Sequence, residues 1–184
     1  MKDQADTLRR LMGLRERFRP SDPAISVFLA PEVRRARLFS PREFAMFARA
    51  RAAGFRVRDE SDDLSAGGGN PRILGRLAVV SADEADLVAC YQRVKELARD
   101  PGVKKLDVLV CVVGDGADPE SQGRRIFTQL FETCRRFLDL DLAYIGAFRP
   151  GEKIRESLAI GKYLLHYRSG SRETPKDAGC VIGR

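Results

Sequence analysis

Residues 106–113 constrain the fold of this chain more than any other stretch. They read Leu-Asp-Val-Leu-Val-Cys-Val-Val and show no alternation of polar and apolar residues. A strand with one solvent-exposed face would alternate polar and apolar residues. A continuous apolar run therefore indicates a strand covered on both faces, as in a parallel α/β sheet. A short buried helix is the alternative, but the valine content and the following Gly114 and Gly116 disfavour it. We predict that this stretch is the central strand.

Strands and helices alternate around that stretch. Apolar runs predict further strands at 25–30, 55–58, 77–80 and 142–148, with a last short strand at 162–167. Capping boxes at 40–43 and 81–84 predict two helix starts. A third helix has a periodic apolar stripe through Ile126, Leu130, Cys134 and Phe137, and a fourth is predicted at 150–160. The fold class is therefore α/β, a mostly parallel sheet flanked by helices and joined by right-handed crossovers.

Composition divides the chain into three parts. Residues 1–20 predict an amphipathic N-terminal helix, which Pro20 and Pro23 separate from the rest of the chain. Residues 21–168 predict a single α/β domain, since a chain of 184 residues that is 43% hydrophobic can bury one core. Residues 169–184 predict a flexible tail.

Bulk properties indicate a cytoplasmic protein. No apolar run approaches the roughly 20 residues that span a bilayer, and the polar N-terminus lacks a signal-peptide pattern. The four cysteines show no Cys-x-x-Cys spacing, so we expect reduced packing residues. The net charge of +7 is spread over the chain rather than gathered in one block, which disfavours nucleic-acid binding.

The usual phosphate-binding loop is missing from the expected place. A nucleotide-binding α/β protein carries Gly-x-x-x-x-Gly-Lys-Ser/Thr after its first strand, whereas residues 31–38 contain no glycine. The weak candidates for a phosphate cradle are Gly67, Gly68, Gly69 and Asn70, which no Lys-Ser/Thr pair follows. A flexible linker is the favoured interpretation of that segment.

Catalytic and metal-binding residues are also not expected. His166 is the single histidine, so one chain cannot build a His-based triad or a multi-histidine metal site. Asp115 and Asp118 follow the predicted central strand, where α/β sites lie, but carboxylates in such loops commonly serve as turn formers.

The N-terminus carries the most specific motif. Residues 3–9 read Asp-Gln-Ala-Asp-Thr-Leu-Arg, which resembles the Asp-Gln-Ala-x-x-Leu-Arg motif that opens the FlhG (FleN, YlxH) family of flagellar-number regulators, MinD/ParA-like ATPases. Arg-Phe-Leu at 136–138, Leu-Ala-Tyr-Ile-Gly at 142–146 and Ile-Arg-Glu-Ser-Leu at 154–158 resemble the family's later sheet. The resemblance implies a reduced P-loop NTPase fold in a shortened, degenerate member without a P-loop. Cys111 or Val112 stands where the family's adenine-contacting asparagine is expected.

The resemblance also implies a role for the N-terminal helix as an activator of FlhF, a signal-recognition-particle-type GTPase. Gln4 would reach toward the partner's GTP site, where an amide can orient the attacking water. Asp3 would favour the helix dipole, Ala5 would permit close approach, Leu8 would anchor the apolar face and Arg9 would pair with an acidic group. The alternative is an ordinary amphipathic helix docked on its own domain.

We therefore expect a pseudo-ATPase without a cofactor that regulates flagellar assembly or placement through an FlhF-like GTPase. Other basal-body proteins, or an intact MinD-like paralogue, are further expected partners, and a partner would recruit the protein to the cell pole. Two alternatives stay open. One is an active ATPase that binds ATP and Mg²⁺ at a non-standard loop over 67–70, and the other is a basic nucleic-acid-binding module.

Overall fold

Parallel strands alternate with helices throughout the residues that this computed structural model describes, which are 23–51, 56–59, 72–100, 102–114, 118–138, 140–152 and 154–168. The strands are β1 Ala24–Leu29, β2 Arg56–Asp59, β3 Ile73–Ser81, β4 Lys105–Cys111 and β5 Asp141–Phe148. The helices are α1 Pro31–Arg35, α2 Pro41–Arg51, α3 Glu84–Ala98, α4 Pro119–Phe137 and α5 Leu158–Arg168, and a 3₁₀ turn spans Ile154–Glu156. None of these helices is long and apolar enough to cross a membrane. The predicted N-terminal helix and tail lie outside the described residues.

The five strands form one sheet in the order β2-β1-β3-β4-β5. Every neighbouring pair is parallel. The predicted α/β class with a parallel sheet flanked by helices is therefore confirmed, and it is consistent with a P-loop NTPase-like fold. The order is a doubly wound one, with a switch point between β1 and β3 where the direction of the crossovers reverses.

Helices cover both faces of the sheet. The crossover from β1 to β2 runs in the opposite direction to those from β3 to β4 and β4 to β5, so right-handed connections place α2 on the face opposite to α3 and α4. In agreement, α3 packs against α4, and α2 packs against α5. All six residues of β1 are buried, and so are the last six of β4, which explains why neither strand alternates.

The prediction that residues 106–113 form the central strand is wrong in position. They form β4, which ends at Cys111 and lies between β3 and β5, while β3 is the middle strand. Both strands are buried on both faces, so their apolar runs look alike in the sequence. Only the crossovers decide which of them lies in the middle.

The predicted strand at 162–167 is wrong as well, because these residues belong to α5. The predicted helix at 150–160 is reduced to the 3₁₀ turn and the first turn of α5. Ile160, Tyr163 and Leu164 are buried, and Tyr167 packs against the core. Their spacing of three, four and seven is helical, and it outweighs the strand preference of the two tyrosines.

The long helix α4 follows its predicted stripe with one exception. Ile126, Leu130 and Cys134 are buried as expected. Phe137, the last residue of the helix, is 64% exposed. Leu138, which follows it, is partly buried against the core.

One carboxyl group is buried within the sheet. Asp107 on β4 accepts a hydrogen bond from the Tyr167 hydroxyl at 3.0 Å, and Lys105 Nζ lies 3.7 Å from its other oxygen. Gly75 on β3 provides the room for the tyrosine, since a Cβ there would lie 2.0 Å from the hydroxyl oxygen. Burial raises the pKa of Asp107, and Lys105 and Tyr167 only partly oppose it. The hydrogen bond ties α5 to the sheet.

This buried carboxyl predicts a pH-dependent stability. The folded protein holds the Asp107 proton more tightly than the unfolded chain does, so protonation of Asp107 stabilises the fold. This contribution to the free energy of unfolding is complete below the ordinary pKa of 3.8 and is lost as the pH rises through the folded-state pKa. Replacing the carboxyl in Asp107→Asn removes this loss. Urea unfolding followed by circular dichroism should therefore show the free energy of unfolding shifting in favour of the variant from acidic to neutral pH. Parallel pH profiles of the two proteins would contradict the assignment.

Candidate functional site

Ligands of doubly wound sheets bind outside the carboxyl ends of the strands, at the switch point. In this sheet the switch point lies between β1 and β3. Two connections flank it. The chain enters α1 directly after β1, and the turn of Ser81 to Asp83 leads from β3 into α3. The residues of these connections form the carboxyl edge described below.

A short helix occupies the place after β1 where a phosphate-binding loop would lie. Pro31 is its first residue and has no N–H group to offer a ligand. Ala30 is the N-cap, and its carbonyl accepts from the Arg34 N–H at 3.1 Å. Val33 is fully buried against the core. The glycine-free segment therefore folds as helix, and its backbone does not wrap around a central space.

Acidic side chains gather beside this helix. Asp86 on α3 lies close enough to Glu32 and Asp83 to feel both charges. Burial raises the pKa of Asp86, the two neighbouring carboxylates raise it further, and Ser81 and Arg35 oppose them. Asp86 Oδ2 is buried without a hydrogen-bond partner in the structure. These carboxylates therefore oppose the binding of a phosphate chain beside the helix.

The acidic side chains do not amount to a metal centre. Within the described ranges, no group of three or more His, Cys, Asp or Glu residues is arranged to hold a metal ion. Arg35 neutralises part of the cluster through an ion pair with Glu32 at 3.0 Å. The carboxyl edge is thus a region of unfavourable negative charge, balanced locally by arginine.

The N-terminus of α4 is capped by the protein itself. Asp118 Oδ2 accepts from the Ser121 N–H at 3.0 Å and from its hydroxyl at 2.7 Å. These hydrogen bonds lower the pKa of Asp118. Asp118 is thus the N-cap of α4 and not the turn former that the sequence predicts, while Asp115 lies outside the described residues. The positive end of this helix dipole is therefore already matched by a carboxylate of the chain.

The Leu-x-Tyr-x-Gly segment on β5 has packing roles. Leu142 is buried, and the Tyr144 hydroxyl donates to Glu120 Oε2 on α4 at 3.2 Å. Gly146 has a φ of +141°, and a Cβ there would lie 2.6 Å from the Cβ of Ala159 on α5. The strand bulges at this point, where Tyr144 and Gly146 pair with consecutive residues of β4. The segment holds two helices against one strand and contributes no reactive group.

The site residues predicted from the sequence are not among those described. Asp3, Gln4, Ala5, Leu8 and Arg9 lie outside the described residues, as do the four candidates at 67–70. Cys111 and Val112, at the end of β4, are both buried.

No pattern in the sequence predicted the acidic cluster. Glu32 and Asp86 are far apart in the chain, and the packing of α1 against α3 brings them together. Acidic residues near the starts of these two helices could have indicated the cluster. They are also typical of ordinary helix starts, so they do not distinguish a cluster.

The fold defines this protein as a parallel α/β protein that is consistent with a P-loop NTPase-like fold, and a short helix follows its first strand. No family model matches the chain. A stretch of 82 residues, 45% of the chain, is 30% identical to the antiactivator FleN of Pseudomonas aeruginosa and covers 28% of that protein. The predicted resemblance is therefore confirmed as a distant and partial similarity to a MinD/ParA-like flagellar-number regulator. The chain spans less than a third of the length of that relative.

Two glycines, one on β5 and one on α5, provide a matched test of the packing between these elements. Gly146→Ala places a Cβ against Ala159 at a positive φ, and we expect it to lower the free energy of unfolding by at least about 2 kcal/mol. Gly161→Ala, inside α5 with nothing within 4 Å, should instead raise it by about 0.5–1 kcal/mol through helix propensity. Urea unfolding of both variants checks the pair. Equal effects of the two substitutions would refute the packing role of Gly146.

Proposed function

We propose that this protein regulates flagellar assembly or placement by binding another protein, and that it does not hydrolyse ATP. The observation that carries the proposal is the similarity to antiactivator FleN over 82 residues. The shared stretch covers a minority of FleN, so the activity is proposed for this chain on the strength of its own residues as well. Those residues are the N-terminal motif and the carboxyl edge.

The carboxyl edge supports the pseudo-ATPase part of the proposal. A phosphate loop needs consecutive free N–H groups around a concave backbone, and residues 31–35 form a helix that starts with proline. Glu32, Asp83 and Asp86 add negative charge beside it. ATP carries several negative charges, so positive charge would be needed to offset both ATP and these carboxylates. At this edge that charge comes from arginine side chains.

The N-terminal motif supports the activating part. Gln4 carries an amide that can position a water molecule for attack on GTP, a reaction whose catalysis is mostly positioning and charge stabilisation. In the helix predicted over residues 1–20, Asp3 would suit the helix dipole, and Arg9 would pair with a carboxylate of the GTPase. Ala5 leaves room for close approach, and Leu8 supplies an apolar anchor. The proposed partner is an FlhF-like GTPase.

The proposed partner also bears on where the protein is located and on what else it contacts. We propose a cytoplasmic protein that reaches the cell pole through its partner. Contacts with basal-body proteins or with an intact MinD-like paralogue belong to the same proposal. Each would place a regulator where flagella are assembled.

The activating role predicts a specific loss in a GTP turnover assay with an FlhF-like GTPase. Removal of residues 1–20 should abolish the stimulation, and Gln4→Ala should reduce it roughly 10–100-fold, because a water-positioning group is lost. Thr7→Ala is the matched control, since it alters a position of the motif that can vary. Stimulation that survives both the truncation and Gln4→Ala would sink this proposal.

The ATPase alternative is decided by a separate measurement. Calorimetric titration of the full chain with ATP and Mg²⁺ should show no binding tighter than millimolar. Micromolar binding that is lost in Gly68→Val would instead establish a nucleotide site at 67–70, and the protein would then be an active ATPase candidate.

A further inference from the structure

A cleft opens at the amino edge of the sheet, opposite to the carboxyl edge. It lies where α3 and α4 end and where the chain enters β4, and its volume is about 250 Å³. Pockets for small-molecule ligands run from about 300 to 1,000 Å³, so this cleft is too small for a cofactor. Its size suits one or two side chains of a partner.

The lining of the cleft is partly apolar. Its apolar residues are Ala98, Val103, Phe137 and Leu138, of which Val103 is 3% exposed and Phe137 is 64% exposed. An exposed phenylalanine beside a concave apolar surface is typical of the centre of a protein interface, where aromatic residues are enriched. The interior therefore favours an apolar side chain.

Basic residues surround this interior. Lys95, Arg99 and Lys104 line the cleft. The single acidic residue of the lining, Asp100, is engaged within the protein. Its Oδ2 lies 3.3 Å from Arg76 Nη2, and its Oδ1 accepts from the Gly102 N–H at 2.9 Å.

Further basic charge comes from the neighbouring helix end. Arg135 and Arg136 are exposed on the last turn of α4, next to Phe137 in the chain. The C-terminal ends of α3 and α4 oppose these cations with about half a negative charge each. That is less than the charge of the basic side chains, so the rim attracts carboxylates.

The size of the cleft and its single ring separate a peptide from a nucleic acid. A single strand needs a long positive groove with several stacking rings, and this small cleft is lined by one exposed ring. We propose that the cleft docks an acidic segment of a partner protein, with one apolar side chain packed on Phe137 and carboxylates paired with Lys95 and Arg99. None of the residues that line this cleft belongs to the N-terminal motif.

Selection from a random dodecapeptide phage library against the full chain tests the proposal. We expect the enriched peptides to carry Asp or Glu on both sides of an apolar residue. In fluorescence anisotropy, a labelled synthetic copy of the most enriched peptide should lose at least tenfold in affinity with Lys95→Glu/Arg99→Glu, and likewise with Phe137→Ala. Its binding should also weaken with added salt.

Two exposed residues of α5 provide matched controls. Lys162→Glu reverses a charge and Leu158→Ala, at a side chain 78% exposed, removes an apolar group, and neither should change the peptide affinity. Enriched peptides without acidic residues, or an unchanged affinity in the cleft variants, would overturn the proposal. So would a labelled oligothymidylate whose binding depends on Phe137, which would assign the cleft to nucleic acid. No GTPase is present in this assay, so its result is independent of the proposed function.

Discussion

Burial of both faces of β3 and β4 is the constraint on which the rest of the structure depends. Residues 106–111 of β4 and 77–81 of β3 are buried throughout, so helices must cover the sheet on both sides. The reversal of crossover direction at β1 provides that cover, with α2 and α5 on one face and α3 and α4 on the other. Asp107 can remain in this interior because the Tyr167 hydroxyl reaches it over the open space at Gly75.

The two edges of the sheet differ in chemistry. At the carboxyl edge, where parallel sheets commonly bind ligands, the chain has a proline-led helix and the carboxylates of Glu32 and Asp86. At the amino edge, the ends of α3 and α4 form a basic cleft with Phe137 in its wall. This distribution is the structural basis of the proposal that the protein binds other proteins.

Sequence reasoning succeeded where the physical signal was local. The Ser40 hydroxyl accepts from the Glu43 N–H at 3.2 Å, as the capping box at 40–43 predicts. It failed where two signals conflicted. Residues 162–167 contain strand-favouring tyrosines, but the burial of Tyr163 and Leu164 follows helical spacing. The acidic cluster and the basic cleft were missed, because their residues are distant in the chain and no local pattern joins them.

The amino-acid sequence by itself determined the class of fold, since unbroken apolar runs separated by capped helices can be buried only in a parallel sheet with helices on both faces. It also carried the similarity to FleN, which extends over 82 residues. Tertiary structure alone decided which strand lies in the middle, how α5 is held by Asp107, and which charges meet at each edge. Those features depend on the direction of the crossovers and on contacts between distant residues, and neither is encoded in the spacing of neighbouring side chains.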